Sequence, residues 1–304
     1  MNLEKFKNKN ILITGAGSGI GEAIACQLSE TATNLFLTGR NMERLTAVRD
    51  KCNASSNRCS AHIFNVDFSD TASIDRFISD LAKQNLTFDY ILLNAGISQR
   101  APALATAFVV DRQVMETNYF GPIYLTKSLL GLTPPPLPDS THISHSTHIS
   151  HSTHTSHSTS LPGGDCRNRH QPGKPIHIVV TSSISGLFGF PLRSAYCASK
   201  HALFGFFESL ELENDHIKVT FLIPGRINTP ISKSALLGDG SPYSKMDSGQ
   251  AAGMDVNKCA RIALRAISKE KHRKLIGGKE LLMVYIKKFI PSLFYKLARK
   301  ISAT

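Results

Sequence analysis

An α/β fold, a doubly wound parallel sheet in a single domain, is what the sequence predicts, and three observations carry it. Short apolar runs alternate with segments of helical period, the order that builds a parallel sheet covered by helices on both faces. The first apolar run ends in a cluster of glycines and passes into a helix-like pattern. The chain has 304 residues, 41% of them hydrophobic, with no sign of a second core, which suits one large domain better than two small ones. The domain is expected over residues 1–132 and 175–278, split by a disordered insertion at 133–174 and followed by a basic amphipathic helix at 279–304.

Composition narrows the function classes. Met1 to Asn10 is polar and leads straight into Ile11-Leu12-Ile13, so neither a secretory segment nor a spanning helix is expected, and a cytoplasmic protein is. Cys26, Cys52, Cys59, Cys166, Cys197 and Cys259 lie far apart without a C-x-x-C pair, which favours reduced thiols over a disulfide frame or a zinc site. The formal charge is +12, but from Lys258 onward thirteen Lys or Arg face only Glu270 and Glu280, a net +11. Basicity belongs to the tail, so no nucleic-acid partner is expected for the folded core.

Ile11 to Thr14 reads as a strand that ends in Gly15-Ala16-Gly17-Ser18-Gly19-Ile20-Gly21, after which Ala23, Ile24 and Leu28 recur at helical spacing. Glycines let the backbone turn tightly and approach a pyrophosphate, which then rests on the free N–H groups of the helix, so this turn predicts dinucleotide binding. A second strand, Leu35 to Thr38, ends at Gly39-Arg40. An acidic residue here would accept the ribose 2′-hydroxyl of NAD; none is present, and Arg40 offers a donor fork suited to a 2′-phosphate, so NADP(H) is favoured over NAD(H). A helix at Asn41–Cys52, a strand at Ala61–Asn65, a helix at Thr71–Leu81 and a strand at Asp89–Leu93 come next. Asp67 past the third strand, where adenine would lie, and Asn94-Ala95-Gly96 past the fourth are candidate cofactor contacts, though an ordinary turn would read the same.

Phe108 to Leu130 reads as one long helix, and Pro122 within it predicts a kink or a local opening that frees a carbonyl near Asn118 to anchor a water. Thr133 to Lys174 has Pro and Gly at its flanks and a Thr-His-Ile-Ser-His-Ser repeat between Thr141 and Ser160, with nothing to build a core. Its six repeat histidines suggest a tolerated expansion, and no metal site is expected. Order resumes with a strand at Ile176–Thr181, then Ser182-Ser183, then Tyr196-Cys197-Ala198-Ser199-Lys200 opening an apolar helix. On a helix Tyr196 and Lys200 share one face a turn apart, and an ammonium beside a phenol favours the phenolate, which makes Tyr196 a usable general acid or base. A strand at Ile217–Leu222 ends at Pro224-Gly225-Arg226-Ile227-Asn228-Thr229; Ser232 to Gly253 reads as a lid too irregular to be core. The tail stripe of Leu282, Ile286, Phe289, Leu293, Leu297 and Ile301, with lysines mostly off it, is compatible with packing on the protein or with peripheral contact on an anionic membrane.

These pieces together resemble the short-chain dehydrogenase/reductase family, a single-domain Rossmann type. Thr14-Gly15-x-x-x-Gly19-Ile20-Gly21 resembles its cofactor turn, and Asn94-Ala95-Gly96 its fourth-strand motif, except that Leu93 stands where a second asparagine is usual. Asn118, Ser183, Tyr196 and Lys200 match its catalytic residues, with Ser183 thirteen positions before Tyr196. Pro224, Gly225 and Thr229 match the turn that holds the nicotinamide carboxamide. Arg193 to Leu203 and the tail resemble the branch of member 7B and its bacterial counterparts.

The resemblance implies hydride transfer between a nicotinamide and a carbonyl or secondary alcohol. Tyr196 is the acid, Ser183 holds the substrate oxygen, Lys200 binds the nicotinamide ribose, and Asn118 holds a water. Leu187, Phe188, Phe190 and Pro191, with the lid, suggest a lipophilic ketone, steroid-like, retinoid-like or 3-oxoacyl, as substrate. A homodimer or homotetramer is expected. The competing readings are a cofactor-sensing protein without catalysis, which would lack part of the Ser/Tyr/Lys set, and a nucleotide-sugar epimerase or dehydratase, whose substrate half is longer than the chain beyond Pro224. The 65-residue separation of Asn118 and Ser183, widened by the insertion, is the departure that matters, and the insertion is expected at the sheet edge remote from the strand C-termini.

Overall fold

The computed structural model describes residues 3–31, 33–55, 58–131 and 175–300. The insertion expected at 133–174, with its repeat and its histidines, lies outside the described residues, as do Cys166 and Ile301. The chain runs β1 (Asn10–Thr14), α1 (Gly19–Leu28), β2 (Asn34–Gly39), α2 (Met42–Ser55), β3 (Ser60–Asn65), α3 (Thr71–Lys83) and β4 (Tyr90–Leu93). Next come α4 (Phe108–Met115), α5 (Gly121–Leu130), β5 (Ile176–Thr181), α6 (Ser194–Glu213), β6 (Ile217–Pro224), α7 (Ser248–Ala251), α8 (Val256–Ser268), β7 (Arg273–Ile276), α9 (Leu282–Phe289) and α10 (Pro291–Ala298).

The seven strands form one sheet in the order β3-β2-β1-β4-β5-β6-β7, and every pairing is parallel. Apolar residues on both faces make this possible. In β1, Leu12 packs into the core that holds Phe77, Leu125 and Phe207, from α3, α5 and α6. Its neighbours Ile11 and Ile13 pack into the other, with Ile24, Val48 and Leu264 of α1, α2 and α8. All three are fully buried, each contributing about 1.5–3 kcal/mol. Helix starts are fixed locally: Asp70 accepts from the N–H of Ala72 at 3.0 Å, and Asp255 from that of Lys258 at 2.8 Å, capping bonds worth about 1 kcal/mol each.

Three expectations are corrected. The long helix at 108–130 is interrupted by a π-helical turn at Glu116–Phe120, where the N–H of Gly121 reaches the carbonyl of Glu116. Pro122, at the start of α5, has no N–H to give the carbonyl of Asn118, so the wider turn is the form the opening takes. The tail is not one helix with one stripe. A break at Ile290-Pro291 separates α9 from α10 and resets the helical phase, so Phe294 and Ala298 are the buried residues while Leu282, Phe289 and Leu293 are exposed. The segment from Ser232 to Gly253 does reach the interior: Ser232, Ala235, Asp247 and Gln250 are buried. Among the described residues no cysteine forms a disulfide, no cluster of three potential metal ligands occurs, and no helix is long and apolar enough to cross a membrane.

Candidate active site

The site forms where β1, β4, β5 and β6 end. Leaving β1, the backbone turns at Gly15 (φ +64°) and Gly19 (φ +60°), a region that residues with a Cβ enter at a cost of roughly 1–2 kcal/mol. A Cβ at Gly15 would stand 2.8 Å from the Cα of Ala95. The glycine is therefore required twice, by conformation and by space. Asn94 ties the turn to the end of β4: its N–H donates to Thr14 Oγ1 at 2.9 Å, and its Nδ2 reaches the carbonyls of Thr14 and Gly15 at 3.3 Å. Leu93, where the family has its other asparagine, is buried in the core instead.

A crevice of about 360 Å³ opens over this turn. Gly15, Ser18, Gly19 and Ile20 line it together with Asn94, Gly96, Pro224, Gly225 and Thr229, and Thr229 lies so close to the turn that a Cβ at Gly19 would stand 3.3 Å from it. The first N–H groups of α1 have no intrahelical partner, and Ser18 gives them no side-chain cap. A glycine cradle with free N–H groups fits the pyrophosphate of a dinucleotide. Gly21 lies behind the lining, where a Cβ would come 2.7 Å from Asn94 Nδ2. Arg40 is exposed at the end of β2, and Arg44, which no sequence motif singles out, lies on the crevice wall. Asp67 is apart from the lining; its Oδ1 accepts from the N–H and hydroxyl of Ser69 at 2.9 and 2.7 Å.

Ser183, Tyr196 and Lys200 all line the same crevice. Ser183 lies two residues past the end of β5, and its hydroxyl lies 3.3 Å from the carbonyl of Pro224 and 3.2 Å from the N–H of Ser185. Tyr196 and Lys200 stand in the first two turns of α6, both buried. Lys200 Nζ donates to the carbonyl of Thr181 at 2.9 Å and lies 5.9 Å from the centre of the Tyr196 ring. Asn118 is behind the crevice floor. Its Oδ1 accepts from the N–H of Ile97 at 2.8 Å, and its Nδ2 donates to the carbonyl of Ile97 at 2.9 Å and to Ser199 Oγ at 3.0 Å. The side chain thereby locks the π turn against the loop after β4 and against α6.

The electrostatics differ from the simple pairing of Tyr196 with Lys200. Burial pushes the Tyr196 phenol up; Arg193, hydrogen bonding with Ser183 and Arg100 pull it back. Burial pushes Lys200 down to about 8. A second, smaller pocket adjoins Ser183, lined by Ile184, Phe188, Phe190 and Met283 together with Arg193, Arg226, Asp247 and Glu280. Leu187 instead lines a separate groove beside the tail. The charged residues of the pocket come from segments far apart in the chain, and no local pattern announces them.

A model of the short chain dehydrogenase family matches residues 9–133 and 171–238, leaving out the repeat segment between them. Dehydrogenase/reductase SDR family member 7B of Xenopus laevis is 34% identical over 294 residues, covering 94% of this chain and 80% of that protein. Dehydrogenase/reductase SDR family protein 7-like of Anopheles gambiae is 32% identical over 305 residues, covering 98% and 84%. The fold recurs in a short chain dehydrogenase/reductase from Burkholderia phymatum solved in complex with NAD, with a TM-score of 0.71 at 18% identity over 95% of both chains. It recurs also in a short-chain dehydrogenase from Sphingobium yanoikuyae in complex with NADPH, with a TM-score of 0.64 at 17% identity over 97% of both chains. The chain belongs to the short chain dehydrogenase family, in the branch of member 7B, and is an oxidoreductase that works with a nicotinamide cofactor.

Proposed function

We propose that the chain is an NADP(H)-dependent enzyme that interconverts a lipophilic ketone and its secondary alcohol. The observation that carries this is that Ser183, Tyr196 and Lys200 open onto the crevice that begins at the glycine turn. The nicotinamide, when bound, supplies or accepts the hydride. In the reducing direction Tyr196 gives its phenolic proton to the substrate oxygen, and the Ser183 hydroxyl holds that oxygen in place. Lys200 holds the nicotinamide ribose. Since the Asn118 side chain is engaged with Ile97 and Ser199, its carbonyl, to which Pro122 cannot donate, is the group left to hold a water that returns the proton.

Preference for NADP(H) is supported by Arg40 just past β2 and Arg44 in the first turn of α2, without an acidic residue at the strand end. Preference for a lipophilic substrate, steroid-like, retinoid-like or 3-oxoacyl, is supported by Ile184, Phe188, Phe190 and Met283 beside Ser183. A panel of carbonyl compounds followed by NADPH and NADH absorbance tests both. Tyr196→Phe is expected to lower turnover at least a hundredfold with NADPH binding nearly unchanged; turnover that survives would remove Tyr196 as the acid.

The tail adds a partner. Leu282, Tyr285, Phe289, Ile290, Leu293 and Tyr295 are exposed on α9, α10 and the break between them, interleaved with Lys287, Lys288 and Lys296. Exposed apolar side chains among cations suit the surface of an anionic bilayer. Flotation with vesicles of phosphatidylserine, with and without residues 279–304, tests this, and equal flotation of both forms would end it. A second copy of the chain is the other expected partner, supported by exposed Leu104, Phe108 and Val109 at and before the start of α4; the mass in solution by light scattering decides it.

A further inference from the structure

Tyr196 stands beside a charge cluster that lies outside the set of Asn118, Ser183, Tyr196 and Lys200. Arg193 immediately precedes α6, one turn ahead of Tyr196, and its guanidinium lines both the crevice and the pocket beside Ser183. Its Nη2 donates to Asp247 Oδ2 at 3.2 Å. The same oxygen accepts from Arg100 Nε at 3.0 Å and from Arg100 Nη2. Two guanidinium groups thus share one carboxylate, leaving one positive charge in excess. Arg100 and Asp247 are each 4% exposed, so water screens that charge poorly.

We propose that Arg193, anchored by Asp247, is a positioning residue that lowers the proton affinity of Tyr196, so that the Arg100–Asp247–Arg193 cluster sets the pH at which the tyrosine exchanges its proton. This deepens the proposed reaction and rests on Tyr196 being its acid. The groups that act on Tyr196 are Arg193 and Cys197 on and before α6, Ser183 after β5 and Arg100 after β4, with Lys200 Nζ 5.9 Å from its ring centre; Asp247, just before α7, is linked to it through the two arginines. Cys197 is held as the neutral thiol, since burial pushes it up. Lys200 is pushed down to about 8 by burial, so its charge fades at alkaline pH. Burial pushes Arg193 down to about 10, so its guanidinium holds its charge to higher pH than the Lys200 ammonium does. The direction of each contribution agrees: burial raises the phenol, and Arg193 is the foremost influence pulling it down.

The sign of the cluster's charge makes the test sharp, because its members act in opposite directions. The chain has seven tyrosines and no tryptophan, so tyrosinate absorbance is uncluttered, and subtracting the titration of the matching Tyr196→Phe protein isolates Tyr196. Arg193→Gln is expected to move that titration, and the rising limb of the pH profile for alcohol oxidation, alkaline by about one pH unit. Asp247→Asn is expected to move both acid by a similar amount, and Arg193→Lys to stay near the parent. An unmoved titration in Arg193→Gln, an equal alkaline move in Arg193→Lys, or an alkaline move in Asp247→Asn would overturn the proposal. Should Asp247→Asn fail to fold, the two Arg193 variants decide alone. Turnover by Tyr196→Phe would instead remove the acid assignment, while the absorbance titration would still report whether Arg193 governs the phenol.

Discussion

Phe294 holds the tail to the body of the protein, and its removal gives a measurable release. It is one of two buried residues of α10, with Ala298. Its ring meets that of Phe188 edge-on, centroids 5.0 Å apart, and Lys287 Nζ lies 5.0 Å over it. Phe188 in turn lines the pocket beside Ser183, where α9 contributes Met283. Truncating a buried phenylalanine costs about 3–5 kcal/mol when the surroundings stay in place. Here the tail can leave instead, since beyond Phe294 it rests on the small buried Ala298 and the partly buried Leu281, Met283, Val284 and Ile286. Phe294→Ala should therefore appear at the lower end, about 3 kcal/mol, and as local opening: roughly a hundredfold rise in the undocked population. Limited trypsin digestion reads this as faster cutting at Lys287, Lys288 and Lys296, and the KM for lipophilic ketones should rise with the loss of the Met283 wall. A cutting rate raised less than about threefold, with the urea midpoint unchanged, would show that α10 is not what holds the tail.

Other outcomes are expected at single sites. Gly15→Ala combines left-handed backbone with a contact to Ala95, so strain of at least about 1–2 kcal/mol should open the turn; isothermal titration should show at least tenfold weaker NADPH binding with the fold retained by circular dichroism. Changing Arg40 and Arg44 together to Ala should lower the preference for NADPH over NADH, measured as the ratio of kcat/KM, by tenfold or more if both face the 2′-phosphate. Burial pushes His177, whose ring nitrogen lies 2.8 Å from Thr220 Oγ1, down to about 4. The unfolded chain then binds a proton that the folded one excludes, so stability is full above about pH 6.5 and falls by up to about 3 kcal/mol as pH drops toward 4. In urea titrations His177→Gln should flatten that part of the profile.

Legibility from sequence tracks how local each determinant is. β1, β4 and β5 are apolar runs buried on both faces, so they stood out, and so did the glycine turn, because its spacing is set by the backbone of one loop. Tyr196 and Lys200 were readable because a helix puts residues four apart on one face. At Pro122 the place of the irregularity was visible but its form was not: the π turn is held by Asn118 bonds to Ile97 and Ser199, two residues remote in the chain. The tail stripe failed because Pro291 resets the phase between two short helices, and a single period cannot describe both. Arg193 and Asp247 are 54 residues apart, and their pairing exists only after α6 and the segment from Ser232 to Gly253 are brought together. The order of folding information thus runs from backbone turns to helix faces to cross-chain charge.

Topology explains how a long repeat can enter the chain between Asn118 and Ser183. Its described flanks are Gly131, which ends α5 in the left-handed conformation at φ +66°, and Pro175, just before β5. β5 lies between β4 and β6 in the sheet, so the insertion is not at a lateral edge. It enters instead where β5 begins, while Ser183 and the crevice lie where β5 ends. Parallel strands place all helix-to-strand connections at one end of the sheet and all strand-to-helix connections at the other. Residues added to a connection at the first end raise its closure entropy only slowly with length, and the crevice lies at the second. The Asn118 side chain bonds Ile97 and Ser199, so its place against the loop after β4 and against α6 is fixed by contacts that bypass the inserted segment.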